Sequence, residues 1–273
     1  MVNVISSSAE CVSATDRGLS YGDGLFETIR MEGGGAVLLS RHLQRMVADA
    51  AVLGIVVTES ELRDAVRNAA ATHAGTFSSG SWVLKLVLTR GSGGRGYRPA
   101  AEGVPNLIVS ASAMPPLPGP EGVAAGLSDF PLTVNPRLAG IKTLNRLEQV
   151  MASRELTDEL YELVMCDSDG QLVEGTRTNV LMKARNHWIT PPREQLAVAG
   201  IMRGYVIDYL ERQGEKVEFS TISPSMLKGP DCQGLYLMNS VMGIVPVHKF
   251  DDLDLPVNDA LATIFNPLDL VET

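Results

Sequence analysis

The distribution of hydrophobic residues over the first 113 positions predicts a sheet accompanied by two helices. Apolar and β-branched residues form short runs that predict strands at residues 25–31, 37–39, 82–89 and 106–110. Three glycines lie between the first two runs, so we expect a hairpin there. Apolar residues recur at helical spacing over residues 43–53, after the candidate cap Ser40, and again over residues 62–69.

A proline-rich segment separates these elements from the rest of the chain. Residues 114–120 contain four prolines, which disfavour a helix and cannot donate to a central strand ladder. We therefore predict a linker over residues 114–121, an N-terminal α/β domain over residues 1–113 and a C-terminal domain over residues 122–273.

The second half mixes short strands with helices. The runs that predict strands are residues 163–166, 172–173, 180–182, 217–219 and 235–238. Helical spacing appears near residues 146–156, where Leu147, Val150 and Met151 face one way, and over residues 201–213. Strands and helices do not alternate with long crossovers, so the pattern favours an α+β fold.

Composition and charge narrow the classes of function. A net charge of -9 makes binding to phosphate backbones unfavourable, so no nucleic-acid partner is expected. The chain starts without a basic and then apolar leader, and no run approaches membrane-spanning length. We expect a soluble, unprocessed cytoplasmic protein. Cys11, Cys166 and Cys232 are far apart and lack a CxxC spacing, so we expect buried reduced thiols and no metal site.

A glycine-rich motif follows the strand predicted at residues 82–89. Residues 91–96 (GSGGRG) match GxGxxG, but a dinucleotide motif must open a helix, and here Pro99 follows shortly. A glycine loop that carries Arg95 and Arg98 suits a lid that offers guanidinium groups to carboxylates. A solvated basic turn remains the alternative.

Two further features suggest chemistry. Lys142, one of six lysines, has apolar neighbours. A desolvated amine at this position can act as a nucleophile and as a base. The alternative is a structural lysine whose ammonium group reaches water. Gly200 opens a predicted helix whose first amides suit a phosphate. Arg45 lies on the first predicted helix, where a solvent-facing cation is the simpler interpretation. None of the four histidines forms a triad pattern with serine or cysteine.

Taken together, these segments resemble a known family in order and spacing, over nearly the whole chain. They resemble the fold-type IV enzymes that use pyridoxal 5'-phosphate (PLP), the branched-chain-aminotransferase-like family. The matching segments are residues 16–30 (DRGLSYGDGLFETIR), 42–45 (HLQR), 174–175 with Asn179, 200–203 (GIMR) and 239–240. Within that class, residues 90–97 (RGSGGRGY) and 142–150 (KTLNRLEQV) are similar to the aminodeoxychorismate lyases.

The resemblance implies a two-domain fold like that of D-amino-acid aminotransferases, PLP as the cofactor and a homodimer. It implies that Lys142 carries the cofactor and that Glu174 pairs with the cofactor's ring nitrogen. It assigns the remaining cofactor contacts to Arg45, Asn179, Ile201, Met202, Asn239 and Ser240.

The resemblance also implies a small-molecule substrate and a lyase reaction, in which aminodeoxychorismate yields 4-aminobenzoate and pyruvate with Lys142 as the base. We expect Arg95 and Arg98 to bind the substrate carboxylates and Tyr21 to line the pocket. Leu19 stands where some relatives have a threonine that has been considered a proton donor, so the donor stays unassigned. The alternatives are a D-amino-acid or branched-chain aminotransferase and a non-enzymatic PLP carrier.

Overall fold

The computed structural model describes residues 1–6, 11–94, 96–100, 103–258, 260–261 and 264–273. The chain divides into two units. The first comprises residues 1–115, 142–145 and 267–273, and the second comprises residues 116–141 and 146–266. In the described ranges, no helix combines the length and the apolar character that crossing a membrane requires.

Helices and strands are named here in chain order. Up to residue 115 they are β1 (Asn3–Ile5), α1 (Arg17–Tyr21), β2 (Gly24–Glu32), β3 (Gly35–Val37), α2 (Leu39–Leu53), α3 (Glu59–Thr72), β4 (Ser81–Thr89) and β5 (Asn106–Ala113). The later ones are β6 (Val123–Leu127), α4 (Leu147–Ser153), β7 (Glu162–Cys166), β8 (Leu172–Gly175), β9 (Asn179–Ala184), β10 (Trp188–Thr190), α5 (Ile201–Arg212), β11 (Val217–Phe219), α6 (Pro224–Leu227), β12 (Cys232–Asn239), β13 (Gly243–Phe250), β14 (Leu253–Asp254) and β15 (Val271–Glu272).

The first unit is built on a sheet with the strand order β1-β5-β4-β2-β3-β15. β1 is parallel to β5, and the other neighbours are antiparallel. The predicted hairpin is confirmed as β2 and β3, with Gly33 at a φ of 57° in its turn. Its second strand is residues 35–37, not the predicted 37–39, because α2 already begins at Leu39. Helix α2 packs on β2 and α3 contacts β5. The apolar residues that gave α3 its helical spacing are buried. In α2 those residues are buried except Val47 and Leu53, which are half-buried.

The start of α2 differs from the prediction. Ser40 does not cap the helix, which begins at Leu39 after Leu38 in a left-handed conformation with a φ of 55°. The backbone N–H of Ser40 donates instead to Glu272 on β15 at 2.9 Å, and its hydroxyl donates to the same carboxylate. A partner 232 residues away is invisible to a local capping rule.

The second unit contains a sheet with the strand order β11-β10-β9-β12-β13-β6-β7-β8, and β14 pairs with β13. Strand β8 also pairs with β9, so the path from β9 through β12, β13, β6 and β7 to β8 closes on itself. Each of these six strands therefore has a neighbour on both sides, whereas β11 remains an edge strand. Helices α5 and α6 contact β12, and the mixture confirms the α+β prediction.

Residues 114–121 lie outside every named helix and strand. The position and role of the linker stay a prediction.

Candidate functional site

Lys142 lies in a segment that the backbone of the first unit fixes in place. Phe26 on β2 donates its N–H to the Lys142 carbonyl at 3.1 Å, and Leu144 donates to the carbonyl of Gly24 at 3.0 Å. The Lys142 N–H donates to a carboxylate oxygen of Asp49 on α2 at 3.1 Å. The half-buried side chain places its Nζ 4.2 Å from the centroid of the Phe26 ring. Both sides of the lysine backbone are therefore anchored, and its ammonium faces an aromatic ring.

A second lysine, which the sequence patterns did not single out, faces the same ring. Lys85 on β4 places its Nζ 5.3 Å from the Phe26 ring centroid. Its signal in the sequence is that it interrupts the otherwise apolar residues 82–88. Pairing of β4 with β2 brings Lys85 opposite Thr28 and thus near Phe26. The structure therefore groups two cations around one aromatic side chain.

An ion cluster lies buried beside this segment. Arg45 on α2 donates to both carboxylate oxygens of Glu27, from Nε at 2.7 Å and from Nη2 at 2.6 Å. The Nδ1 of His42 lies 2.6 Å from the same carboxylate. Burial would raise the pKa of Glu27, but the charge of Arg45 and the hydrogen bonds outweigh it and hold the pKa at about 2. Arg45 is thus a paired side chain, not a solvent-facing cation.

His42 is fully buried in this cluster. Burial lowers the pKa of His42 despite the neighbouring Glu27 charge. Because an ionised carboxylate only accepts hydrogen bonds, Nδ1 donates to Glu27. Its Nε2 atom has no hydrogen-bond partner within the described residues. His42 and Arg45 thus both bind Oε2 of the Glu27 carboxylate.

In the second unit, two side chains hold the segment that leads into α5. The Val198 N–H donates to Oε2 of the buried Glu174 at 3.1 Å. Asn179 donates its Nδ2 to the Val198 carbonyl at 2.9 Å. Glu174 and Asn179 face each other across β8 and β9. A Cβ on Gly200 would stand 1.9 Å from the Asn179 Oδ1, so only glycine fits this approach.

The N-terminus of α5 has the properties of an anion site. Gly200 precedes it and offers no capping side chain, and Ile201 and Met202 of its first turn are buried. Uncapped amides and the helix dipole favour a phosphate dianion. Arg203 points elsewhere, because it donates to the Thr190 hydroxyl at 2.9 Å. Burial lowers the pKa of Arg203 to about 10.

Asn239 and Ser240 form the turn between β12 and β13. The Asn239 side-chain oxygen accepts hydrogen bonds from the N–H groups of Val241 at 2.9 Å and Met242 at 2.8 Å. This pattern shapes the turn and leaves the half-buried Ser240 near its apex. A cofactor role for these two residues stays a prediction.

The candidate substrate residues belong to the first unit. The ring of Tyr21, at the end of α1, meets the ring of Tyr97 edge-on at 5.5 Å between centroids. Arg98 is exposed, whereas Arg95 lies outside the described residues. No helix follows the glycine motif in residues 96–100, as expected for a loop that is not a dinucleotide motif. Leu19 is exposed.

The expectation of buried thiols needs correction, and the orientation of α4 can be added. Cys166 is buried and Cys232 half-buried, but Cys11 is exposed, and residues 11–13 belong to no helix or strand. On α4, Leu147 is 72% exposed and Val150 is 56% exposed. The helix buries Gln149 and Ala152 instead. Its apolar side therefore points out of the unit.

Comparison with known proteins identifies the family. The model of the family Amino-transferase class IV matches residues 24–250. The chain is 30% identical to an aminodeoxychorismate lyase of Vibrio harveyi, over 89% of the chain and 90% of the relative. It is 32% identical to a putative branched-chain-amino-acid aminotransferase of Methanocaldococcus jannaschii, over 88% and 83%. The crystal structure of 4-amino-4-deoxychorismate lyase from Pseudomonas aeruginosa superposes with a TM-score of 0.85 at 35% identity, over 96% of this chain and 93% of that one.

Proposed function

We propose, because the chain belongs to the class IV aminotransferase family, that it is a PLP-dependent lyase. Its reaction converts 4-amino-4-deoxychorismate to 4-aminobenzoate and pyruvate. The observation that carries the proposal is the placement of Lys142. Its backbone is anchored on both sides, and its amine lies over the Phe26 ring, which a second cation, Lys85, also faces. Two of the relatives named above are lyases of this kind.

The donor set of the chain fits PLP. Lys142 supplies the amine that carries it, and the buried Glu174 supplies an acid for its ring nitrogen. The amides of Ile201 and Met202 at the uncapped start of α5 suit its phosphate. The other residues assigned to it are Arg45, Asn179, Asn239 and Ser240. Bound PLP supplies a ring that accepts the electrons left when a proton departs from the carbon next to the substrate amine.

In this reaction Lys142 has two tasks. It binds the cofactor, and its released amine then removes the proton from the ring carbon that bears the substrate amine. An ionised Glu174 keeps the proton on the pyridine nitrogen. Loss of the carbon proton and cleavage of the bond to the enolpyruvyl oxygen leave an aromatic ring and release pyruvate. Leu19 cannot protonate the leaving group, so another donor serves.

The two carboxylates of the substrate need cations. Arg95 and Arg98 are assigned to them, and Lys85 is a third cation that the fold adds beside Phe26. Arginine matches a carboxylate with two parallel hydrogen bonds, whereas lysine acts as a point charge. Tyr21 lines this substrate region.

The same proposal includes a cytoplasmic homodimer. The exposed apolar side of α4, with Leu147 and Val150, is a surface of the kind that marks protein contacts, and two-fold dimers are the commonest soluble oligomers. Size-exclusion chromatography with light scattering tests it. A clean monomer contradicts the dimer.

Parallel incubations distinguish the lyase from an aminotransferase. PLP-loaded protein is given aminodeoxychorismate in one tube and D-alanine with 2-oxoglutarate in another, and 4-aminobenzoate, pyruvate and glutamate are measured. We expect 4-aminobenzoate in the first tube, lost in Lys142→Ala and kept in Lys216→Ala, whose ammonium pairs with Glu218 at 3.4 Å on the surface. Glutamate in the second tube without 4-aminobenzoate in the first would favour the aminotransferase.

A further inference from the structure

A buried arginine of the first unit connects α1 to the glycine loop, defined here as residues 91–94 and 96–98. The side chain of Arg17 is 4% exposed, and its Nε donates to Asp23 at 2.8 Å. Arg90 donates to the same carboxylate at 2.8 Å. Burial opposes ionisation of Asp23, but the two guanidinium groups lower its pKa. Arg17 is therefore held in one orientation by a charged partner.

The other end of the Arg17 guanidinium binds the glycine loop. Nη1 donates to the carbonyl of Gly96 at 2.9 Å, and Nη2 donates to the carbonyl of Tyr97 at 2.7 Å. A planar guanidinium has donors in a fixed fork, so it sets the relative position of two successive carbonyls. An ammonium group cannot bridge Asp23 and both carbonyls in this way.

The start of the glycine loop is also built around Arg17. The Arg17 N–H donates to the carbonyl of Gly91 at 3.0 Å. A Cβ on Gly93 would stand 2.8 Å from the Arg17 Cδ, so the loop crosses the arginine stem where only glycine fits. Gly91 has a φ of 81°, and its Cβ would stand 2.0 Å from the Val104 carbonyl oxygen. Packing against Arg17 thus accounts for Gly93, whereas the positive φ and the nearby Val104 carbonyl account for Gly91.

The loop carries side chains that the proposed function uses. Tyr97 meets Tyr21 edge-on, and the Arg17 guanidinium carbon lies 4.9 Å from the centroid of the Tyr21 ring. Arg98 follows directly in the chain. The buried Arg17 thus contacts two features: the backbone carbonyl of Tyr97, the residue before Arg98, and the ring of Tyr21.

We propose that Arg17 is a positioning residue for substrate recognition: its guanidinium fixes the glycine loop and Tyr21, and so determines where the loop presents its cation to a substrate carboxylate. This inference rests on the proposed lyase function. It predicts that removing the Arg17 guanidinium weakens substrate binding but leaves the chemistry at Lys142 and the binding of PLP intact.

Arg90 offers a matched control. It shares Asp23 with Arg17, but its other donors bind the carbonyls of Leu53 at 2.7 Å and Gly54 at 2.9 Å at the end of α2. Arg90→Lys therefore disturbs the same ion pair without removing a bond to the carbonyls of residues 96 and 97. A purely structural role of the ion pair predicts equal effects of the two substitutions.

The test compares Arg17→Lys, Arg90→Lys and the wild type as PLP-loaded enzymes. We expect Arg17→Lys to raise the KM for aminodeoxychorismate about tenfold or more, as expected for a displaced substrate contact, with kcat and the visible absorbance of bound PLP nearly unchanged. Hydrogen exchange measured by mass spectrometry should become faster for the amides of residues 96–98. Arg90→Lys should retain the wild-type KM and the wild-type exchange in this loop.

A second pair of variants covers the case in which Arg17→Lys does not fold. Gly93→Ala pushes the loop off the Arg17 stem, whereas Gly94→Ala meets nothing within 4 Å; only the first should raise KM and loop exchange. Equal effects within each pair, or a wild-type KM in Arg17→Lys, overturn the inference. A wild type that makes no 4-aminobenzoate refutes the lyase and the substrate role of Arg17 together, while the exchange data still decide whether Arg17 holds the loop.

Discussion

Replacing Glu27 by glutamine should destabilise the first unit strongly. The substitution keeps the size of the side chain and removes the negative charge to which Arg45 and His42 are bonded. Removal of one partner from a buried ion pair costs about 3–5 kcal/mol. The same contacts hold the Glu27 pKa at about 2 instead of 4.5, which corresponds to about 3 kcal/mol of stability at neutral pH.

The sign of the pH dependence follows from the lowered pKa. A carboxyl whose pKa is lower in the folded state stabilises the protein fully above its unfolded value of 4.5 and loses this contribution as the pH falls through about 2. The difference between wild type and Glu27→Gln should therefore shrink from about 3 kcal/mol at pH 7 to about 1 kcal/mol at pH 3.

The two tryptophans allow the first unit to be observed alone. In a Trp188→Phe background, the fluorescence of the buried Trp82 on β4 reports unfolding of the unit that holds Glu27. Urea unfolding at both pH values gives the free energies. The control is Glu59→Gln, which removes a half-exposed partner of Arg63 on α3 and should cost under about 0.5 kcal/mol. A loss in Glu27→Gln no larger than in this control, or a difference independent of pH, would refute the reasoning.

Two further predictions concern the start of α5 and the thiols. Gly200→Ala should weaken PLP binding in an absorbance titration, because its Cβ would stand 1.9 Å from the Asn179 Oδ1. The control Gly34→Ala meets nothing within 4 Å and should bind PLP like the wild type. Equal PLP affinities of the two variants would contradict a phosphate site at the start of α5. Native protein should react with a thiol reagent at the exposed Cys11, while Cys166, whose pKa burial raises to about 11, should react only after unfolding; comparable native rates would count against this.

Local patterns predicted most of the helices and strands because each buries a face with a regular period. Helix α5 and strands β4 and β11 match the predicted residues to within a position. Features that depend on distant partners were missed. Ser40 has the residue type of a cap, but the carboxylate of Glu272 across the sheet takes its hydrogen bonds.

The candidate site shows the same limit. Lys142 could be singled out by its apolar neighbours, yet its anchoring to β2 joins residues more than a hundred positions apart. Lys85 becomes relevant only through the pairing of β4 with β2. Arg45 looks like a surface cation in the sequence, and the burial of Glu27 makes it a paired one.

Chemical trapping of the cofactor tests the central claim, that Lys142 carries PLP, most directly. Borohydride reduction of the PLP-loaded protein makes the bond between lysine and cofactor permanent, and peptide mass mapping then identifies the modified residue. We expect the label on Lys142 alone, and none in Lys142→Ala. A label on Lys85, which faces the same Phe26 ring, or full labelling in Lys142→Ala, would contradict the account.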